Sequence, residues 1–252
     1  MRKQLSLIVF LIAYSLFLTC PSSHADEIRI AAASNFSIAL EALIRKYSLK
    51  NHKKVLVSSG STGKHYAQIR NGAPFDIFLA ADKARPLLLE KEGHIIKGTR
   101  FTYAKGKLAL WSLEGNYVDK NGAILKKKDF RHLAIANPKL APYGTAAEET
   151  LTKMGLWNEL KPFFVRGENI GQTFQFVKSG NAKLGFIALS QINTCACTQP
   201  GSYWLVPQEL YTPIEQQAVL LKDSPLGRDF LKFLQSKEGK AIIKAYGYDT
   251  SK

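Results

Sequence analysis

In KVLVSSGSTGKHYAQIRNGAPFDIFLAAD, residues 54–82, the pattern of apolar and small residues predicts a strand, a short helix and a second strand. The runs VLV and FDIFLAAD indicate the two strands, and Gly72 closes the helix between them. Strands that alternate with helices in this way are typical of a mostly parallel sheet with helices on both faces. The stretch therefore predicts an α/β protein.

The same alternation continues on both sides of this stretch. EIRIAAAS, residues 27–34, predicts a strand, and apolar residues at helical spacing predict a helix over 36–47. The other predicted elements are a helix in ARPLLLEKEGHI, strands at 132–138 and 183–190, helices at 144–155 and 171–180, further segments SYWLVP and QQAVLLKD, and two helices after residue 223.

These elements group into two α/β units. We expect residues 26–105 to form the first unit and residues 106–213 the second, while residues 214–252 return to the first. No Gly/Ser-rich segment separates the units, so the hinge is predicted to consist of two strand-like crossovers.

The loop SSGSTGK, residues 58–64, has the composition of an anion cradle but not the spacing of a nucleotide-binding loop. That motif requires a glycine five residues before Gly63 and a hydroxyl residue after the lysine. The chain has Ser58 and His65 at these positions. A site for a smaller oxyanion at a helix N-terminus remains open.

Four segments lie where a strand or loop enters a predicted helix. Such places offer unpaired backbone N–H groups and the positive end of a helix dipole. Ser34, Ser61 and Thr62 also fit simple N-cap roles. Because ligands of open α/β sheets lie beyond the carboxyl ends of strands, a cleft between the units could bring the four segments together. They are AAASN (31–35), GSTG (60–63), APYG (141–144) and ENIG (168–171).

The N-terminus predicts export. MRK is followed by the apolar stretch LSLIVFLIAYSLFL and by Ser-His-Ala at residues 23–25, which is the pattern of a signal peptide over residues 1–25, cleaved near Ala25. A membrane anchor would require about 20 apolar residues. Lipidation of Cys20 stays open, although Thr19 is a poor residue before a lipidated cysteine.

Charge and cysteine content argue against nucleic-acid-binding and zinc-binding proteins. Without Arg2 and Lys3, the 35 basic residues become 33 against 20 acidic ones, a net charge of +13. The basic residues are scattered, which argues against nucleic acid and for a surface that mildly steers anions. Cys195 and Cys197 are too close for a usual zinc site, and whether they form a disulfide stays open. We expect no metal cofactor.

Catalytic patterns are weak. No Gly-x-Ser-x-Gly elbow occurs, Ser190 has no recognisable base, and the pair Glu148-Glu149 lies on a lysine-bearing helix where both side chains are expected to be solvated. The sequence gives no reason to expect an enzyme.

Four segments carry a resemblance to the periplasmic molybdate-binding proteins of ABC transporters. They are AAASNF, GSTGKHYAQIRNGAPFDIFLAAD, TLTKMGLW and AIIKAYGY, and the resemblance extends over essentially the whole chain after the signal peptide. It implies a type II periplasmic binding protein fold with two α/β lobes and a two-stranded hinge. It also implies that molybdate or tungstate binds in the cleft through hydroxyls and backbone amides.

The resemblance also implies a set of solute ligands. Some members of the family have a ligand tyrosine where this chain has Ala188, and the hydroxyl is expected from Tyr143 instead. Ser61 is a neighbour that could substitute for another hydroxyl. The implied ligands are Ser34 through hydroxyl and amide, Asn35 and Thr62 in lobe 1, and Tyr143 and the backbone N–H of Ile170 in lobe 2.

These expectations describe a monomeric periplasmic carrier that delivers its solute to a membrane permease, with no nucleic acid partner. Lys64 is expected to face outward. A carrier for sulfate, phosphate, iron or thiamine stays open, although iron would require more tyrosine, histidine and carboxylate ligands. An exported hydrolase is the alternative from another class. The sequence does not distinguish molybdate from tungstate.

Overall fold

The computed structural model describes residues 27–51, 53–193 and 201–250. The predicted signal peptide with Cys20, and the pair Cys195 and Cys197, lie outside the described residues. Within the described part of the chain, no helix is long and apolar enough to cross a membrane.

The described strands form two five-stranded sheets. In chain order the strands are β1 (Glu27–Ala33), β2 (Lys54–Gly60), β3 (Ile77–Leu79), β4 (Phe101–Gly106), β5 (Leu108–Ser112), β6 (Leu133–Ala136), β7 (Phe164–Gly167), β8 (Leu184–Ala188), β9 (Ser202–Leu205) and β10 (Ile214–Leu220).

The two sheets have the same plan. Lobe 1 has the strand order β2-β1-β3-β10-β4, and lobe 2 has the order β7-β6-β8-β5-β9. In each sheet the first three strands are parallel and the fourth is antiparallel to both of its neighbours. Four of five strands therefore run in one direction, which confirms the predicted two-lobed α/β fold with mostly parallel sheets.

Helices cover these sheets. In chain order they are α1 (Ser37–Asn51), α2 (Thr62–Arg70), α3 (Ala84–Lys91), α4 (Ile124–Lys127), α5 (Pro142–Lys153), α6 (Trp157–Leu160), α7 (Ile170–Lys178), α8 (Leu189–Asn193), α9 (Pro225–Gln235) and α10 (Lys237–Ala245). Three short 3-10 helices are Ser34–Phe36, Lys161–Phe163 and Gln208–Leu210.

The chain crosses between the lobes twice. The first crossover is a single residue, Lys107, between β4 and β5. The second spans residues 206–213, between β9 and β10, and contains a 3-10 turn, so it is longer than the strand-like crossover that we predicted. After it, β10 pairs with β3 and β4, and helices α9 and α10 pack against α1. On this basis we propose the boundaries 26–105, 106–213 and 214–252, although Gly106 is the last residue of β4 and pairs with Ile214 in the lobe 1 sheet.

The local predictions differ from the structure in several places, and three examples follow. The helix predicted from residue 36 begins at Ser37, because the preceding turn is a 3-10 helix. The strand predicted over FDIFLAAD is limited to Ile77–Leu79, since only these residues pair with both neighbouring strands. Strand β7 was not predicted, because its four residues, FVRG, show no alternation of apolar and polar side chains.

Candidate functional site

A small cavity lies between the lobes, and all six predicted ligand residues line it. Its volume is about 10 Å³, which is close to the space that a single water requires. A larger solute therefore enters only if the lobes move apart. The lining residues are Ala33, Ser34, Asn35, Gly60, Ser61, Thr62, Ala81, Ala141, Pro142, Tyr143, Asn169 and Ile170.

Strand pairing brings the lobe 1 residues together. Strands β1 and β2 are parallel and in register, with Ala33 opposite Gly60. Both strands therefore end at the same level, and the segments that follow them lie side by side. This places the Ser34–Asn35 and Ser61–Thr62 pairs on one wall.

Capping explains only one of these residues. Ser61 is the N-cap of helix α2, and its Oγ accepts a hydrogen bond from the Lys64 N–H at 3.3 Å. Ser34 begins the 3-10 helix, whose N-cap is Ala33, and Thr62 is the first residue of α2. The capping interpretation is thus right for Ser61 and wrong for Ser34 and Thr62.

The three lobe 1 hydroxyls at the cavity, those of Ser34, Ser61 and Thr62, share one property: each already accepts a hydrogen bond from a backbone N–H. No acceptor for their own O–H groups is found among the residues that the structure describes. Because a hydroxyl has one hydrogen to donate, all three remain donors for a solute. The bonds are Gly171 N–H to Ser34 Oγ at 3.0 Å, Lys64 N–H to Ser61 Oγ at 3.3 Å, and Ala81 N–H to Thr62 Oγ1 at 3.0 Å.

The Tyr143 hydroxyl in lobe 2 likewise accepts a hydrogen bond and keeps its own hydrogen for another acceptor. It is 1% exposed, and its hydroxyl oxygen accepts a hydrogen bond from Gln216 Nε2 at 3.4 Å. Burial raises the pKa of Tyr143 well above its usual value, so the hydroxyl keeps its hydrogen. The described part of the chain contains no acceptor for that hydrogen either.

Ile170 contributes a backbone donor. It is the first residue of helix α7, so its N–H has no acceptor within the helix. The preceding residue, Asn169, is the N-cap, and its side chain accepts from the Gln172 N–H at 3.0 Å. The N–H of Ile170 is therefore left for a group outside the helix.

Asn35 behaves differently from the other predicted ligands. Its Nδ2 donates to Gln216 Oε1 at 2.9 Å and to the Tyr248 hydroxyl at 3.1 Å, so both side-chain N–H groups are used within the protein. Its Oδ1 is buried and has no hydrogen-bond partner. In this arrangement Asn35 can serve a solute as a donor only through its backbone N–H, while its side chain offers an acceptor.

No lining residue carries a formal charge. Instead, helices α2, α5 and α7, each at least nine residues long, begin at the cavity with Thr62, Pro142 and Ile170. The N-terminus of a helix carries roughly half a unit of positive charge. The site can therefore hold an anion with dipoles and neutral donors alone.

The lobes also contact each other around the cavity. The Gly63 N–H donates to the Leu140 carbonyl at 2.8 Å, and Arg85 donates to the Lys139 carbonyl at 3.0 Å. A Cβ at Gly63 would lie 3.0 Å from Leu140 Cα and 3.0 Å from its carbonyl oxygen, so glycine permits this close approach. These contacts describe a closed arrangement of the two lobes.

Other candidate residues lie outside the cavity. Ala188 is buried on β8 opposite Leu108 and does not line it. His65 is a buried residue of helix α2, where its Nε2 donates to the Ala32 carbonyl at 3.2 Å and burial lowers its pKa. Among the described residues, no group of three or more His, Cys, Asp or Glu could hold a metal ion.

Sequence reasoning missed a buried polar network behind the cavity. Ser190 Oγ donates to the Tyr248 hydroxyl at 2.9 Å, and the Tyr248 hydroxyl donates to the Asn35 carbonyl at 2.6 Å. Gln216 belongs to the same network. These residues come from β10, helix α8 and the C-terminus, and only a glutamine in the apolar strand IEQQAVL hinted at them in the sequence.

Comparisons with known proteins agree with this architecture. The family model for bacterial extracellular solute-binding proteins matches residues 28–249. The molybdate-binding protein ModA of Azotobacter vinelandii is 48% identical over 230 residues, covering 90% of this chain and 91% of the relative. ModA of Rhodobacter capsulatus is 43% identical over 229 residues, with 90% and 89% covered.

A solved structure of a molybdate-binding protein has the same fold as this chain. The periplasmic molybdate-binding protein of Azotobacter vinelandii superposes with a TM-score of 0.86 at 40% identity. The match covers 89% of this chain and 100% of that protein.

Proposed function

The chain belongs to the family of bacterial extracellular solute-binding proteins, and from this premise we propose that its cleft captures molybdate or tungstate for an ABC permease in the membrane. The relatives reported above are named as molybdate-binding proteins. We further propose a periplasmic monomer, released by cleavage near Ala25, that acts as a carrier without a cofactor and without catalysing a reaction.

The orientation of the hydroxyls carries this proposal. Ser34, Ser61, Thr62 and Tyr143 each accept a hydrogen bond from the protein, so each presents its O–H as a donor. The N–H of Ile170 adds a fifth donor. A wall made of donors favours an oxyanion that carries no hydrogen of its own, and molybdate and tungstate are such dianions near neutral pH.

The same argument ranks the competing anions. Sulfate is also an unprotonated tetrahedral dianion, but it is smaller and leaves some donors out of reach. Phosphate usually carries a proton near neutral pH and must find an acceptor for it, or lose about 1–3 kcal/mol. Asn35 Oδ1 is the one buried side-chain acceptor without a partner on these walls. We expect molybdate and tungstate to bind far more tightly than sulfate, and phosphate to bind most weakly provided that Asn35 Oδ1 does not accept its hydrogen.

Lobe closure connects binding to delivery. A tetrahedral anion enters only when the lobes separate, and the closed form that holds it must have a wider cavity than the present one of about 10 Å³. Contacts such as those of Gly63 and Arg85 hold the lobes together. A solute that binds the closed form better shifts the population towards it. The closed form then presents surfaces of both lobes to the permease.

Calorimetry and thermal unfolding of residues 26–252 test the proposal. A solute at a hundred times its dissociation constant stabilises the folded state by about 2.7 kcal/mol. Molybdate and tungstate should raise the melting temperature, whereas nitrate and chloride should not. Absence of heat and of a shift with both dianions would refute the proposal, and phosphate binding within about tenfold of molybdate would refute the selectivity.

A further inference from the structure

Gln216 is a fully buried polar residue on β10, the strand that follows the second crossover. It does not line the cavity. Its side chain nevertheless contacts a proposed ligand from each wall, Asn35 of lobe 1 and Tyr143 of lobe 2. A buried amide in a strand of apolar residues costs free energy unless it is fully hydrogen-bonded, so its contacts require an explanation.

The oxygen and the nitrogen of the Gln216 amide have different hydrogen-bond partners. The oxygen, Oε1, accepts from Asn35 Nδ2 at 2.9 Å and from the Tyr103 hydroxyl at 3.1 Å. The Asn35 donor determines that the oxygen faces Asn35 and Tyr103, because the one hydrogen of the Tyr103 hydroxyl also has the Ala80 carbonyl as an acceptor at 3.3 Å. The nitrogen, Nε2, therefore faces Tyr143 and donates to its hydroxyl oxygen at 3.4 Å.

This donation decides what the Tyr143 hydroxyl can do. If a carbonyl oxygen lay at the position of Nε2, the phenol would donate its hydrogen to that oxygen and could not donate it to a solute. Because an N–H lies there instead, the phenol oxygen acts as an acceptor on that side. Its O–H then remains available for the cavity.

Gly106, the last residue of β4 before the first crossover, leaves room for the same pair. A Cβ at this position would overlap the Tyr143 hydroxyl and lie 2.9 Å from Gln216 Nε2. Gly106 pairs with Ile214 at the start of β10. The hydroxyl and the amide are thus packed against the end of β4, next to the first crossover.

We propose that Gln216 is a positioning residue for solute binding, which orients the Tyr143 hydroxyl as a donor to the oxyanion and at the same time fixes the Asn35 side chain. The inference rests on the proposed function, because it assigns a role relative to the proposed ligands. It adds a residue that touches no solute and contacts side chains from both walls.

A double-mutant cycle with molybdate tests the role. Gln216→Met removes the amide, and Gln216→Asn keeps an amide but withdraws it from Tyr143. Each is measured by calorimetry alone and combined with Tyr143→Phe. We expect either variant to lower molybdate affinity about tenfold in the wild-type background. We expect the loss to shrink to about twofold when Tyr143 is already phenylalanine, because the hydroxyl to be oriented is gone and only the contact of Gln216 with Asn35 remains.

Gln217→Met is the matched control. Gln217 is the neighbouring, largely buried glutamine, and it bonds Arg100 at 3.0 Å and Thr102 at 3.2 Å, away from the ligands. This variant should lose stability without losing affinity. Sulfate affinity is measured as well, because loss of a correctly aimed donor should change the ratio of molybdate to sulfate affinity, whereas general loosening should not.

The outcomes separate the two proposals. If the wild type binds neither molybdate nor tungstate, the proposed function fails and this inference fails with it. If the wild type binds and the Gln216 variants bind equally well, only the role of Gln216 is overturned. The role of Gln216 is also overturned if its variants lose molybdate affinity by the same factor with tyrosine and with phenylalanine at position 143. Should Gln216→Met not fold, Gln216→Asn decides the question.

Discussion

The two walls of the cleft share one backbone plan but present different chemistry. In lobe 1, the donors follow the paired ends of β1 and β2, where Ala33 lies opposite Gly60. In lobe 2, they follow the paired ends of β6 and β7, where Ala136 lies opposite Gly167. Both walls thus consist of helix N-termini at the ends of adjacent parallel strands.

The difference lies in which atoms face the cavity. The lobe 1 wall presents three side-chain hydroxyls, from Ser34, Ser61 and Thr62. The lobe 2 wall has one hydroxyl, from Tyr143, the side chain of Asn169, whose oxygen caps helix α7, and backbone groups such as the N–H of Ile170. Substitution of side chains should therefore damage the lobe 1 wall more easily than the lobe 2 wall.

Thr62→Val should have the largest effect, because Thr62 has two tasks. The change removes an O–H donor to the solute and leaves the buried Ala81 N–H without its acceptor. We expect affinity for molybdate to fall about tenfold to a hundredfold. We also expect the free energy of unfolding without solute to fall by about 1–3 kcal/mol.

Thr99→Val provides the control for this experiment. Thr99 Oγ1 also accepts from a backbone N–H, that of Leu220 at 3.1 Å, but it lies in lobe 1 away from the cavity. This variant should lose stability in urea unfolding and keep its affinity in calorimetry. Equal affinity losses in both threonine variants would contradict a direct role of the Thr62 hydroxyl.

Ile170→Pro should have the second largest effect, and it tests the backbone donor directly. Proline is tolerated as the first residue of a helix, and the extended Asn169 (φ −145°, ψ 170°) is compatible with a following proline. The substitution therefore removes the N–H while leaving the helix in place. We expect molybdate affinity to fall about tenfold.

Ile170→Ala separates this effect from loss of packing. The Ile170 side chain is 3% exposed, so its truncation should cost about 2–5 kcal/mol of stability. The alanine variant retains the N–H and should keep an affinity close to that of the wild type. If proline and alanine lower the affinity equally, the lobe 2 wall acts through packing and not through its amide.

The difference between side-chain donors in lobe 1 and mainly backbone donors in lobe 2 also explains which parts of the site the sequence could predict. Serine, threonine and glycine after two apolar strands identified the lobe 1 wall, because side-chain donors and tight turns require particular residue types. The fold was also predictable from the alternation of strands and helices. The segments that contain Tyr143 and Ile170 were found from their position before predicted helices, but these two residues were assigned as ligands only through the resemblance to a family. For Ile170 the reason is that any residue type can supply a backbone N–H.

The role of the Asn35 side chain could not be predicted from the residues. Asn35 was expected to be a solute ligand, but its side-chain N–H groups bond Gln216 and Tyr248. These partners lie 181 and 213 residues away along the chain. Such contacts depend on the return of the C-terminal segment to lobe 1, and no local pattern encodes which buried glutamine meets which ligand.

Lys64→Ala should have the smallest effect, because neither wall uses a charged side chain. Lys64 Nζ lies 3.7 Å from Glu168 Oε2 across the cleft, and the two side chains are 56% and 66% exposed. An exposed ion pair contributes about 0.2–1 kcal/mol, so affinity should fall by less than about fivefold at low salt. The difference should shrink in high salt, because exposed charges are then screened. Lys91→Ala, at the far end of α3, controls for the loss of one positive charge. A loss of tenfold or more that persists in high salt would mean that Lys64 neutralises the bound anion, and the contrast between two uncharged walls would no longer describe the site.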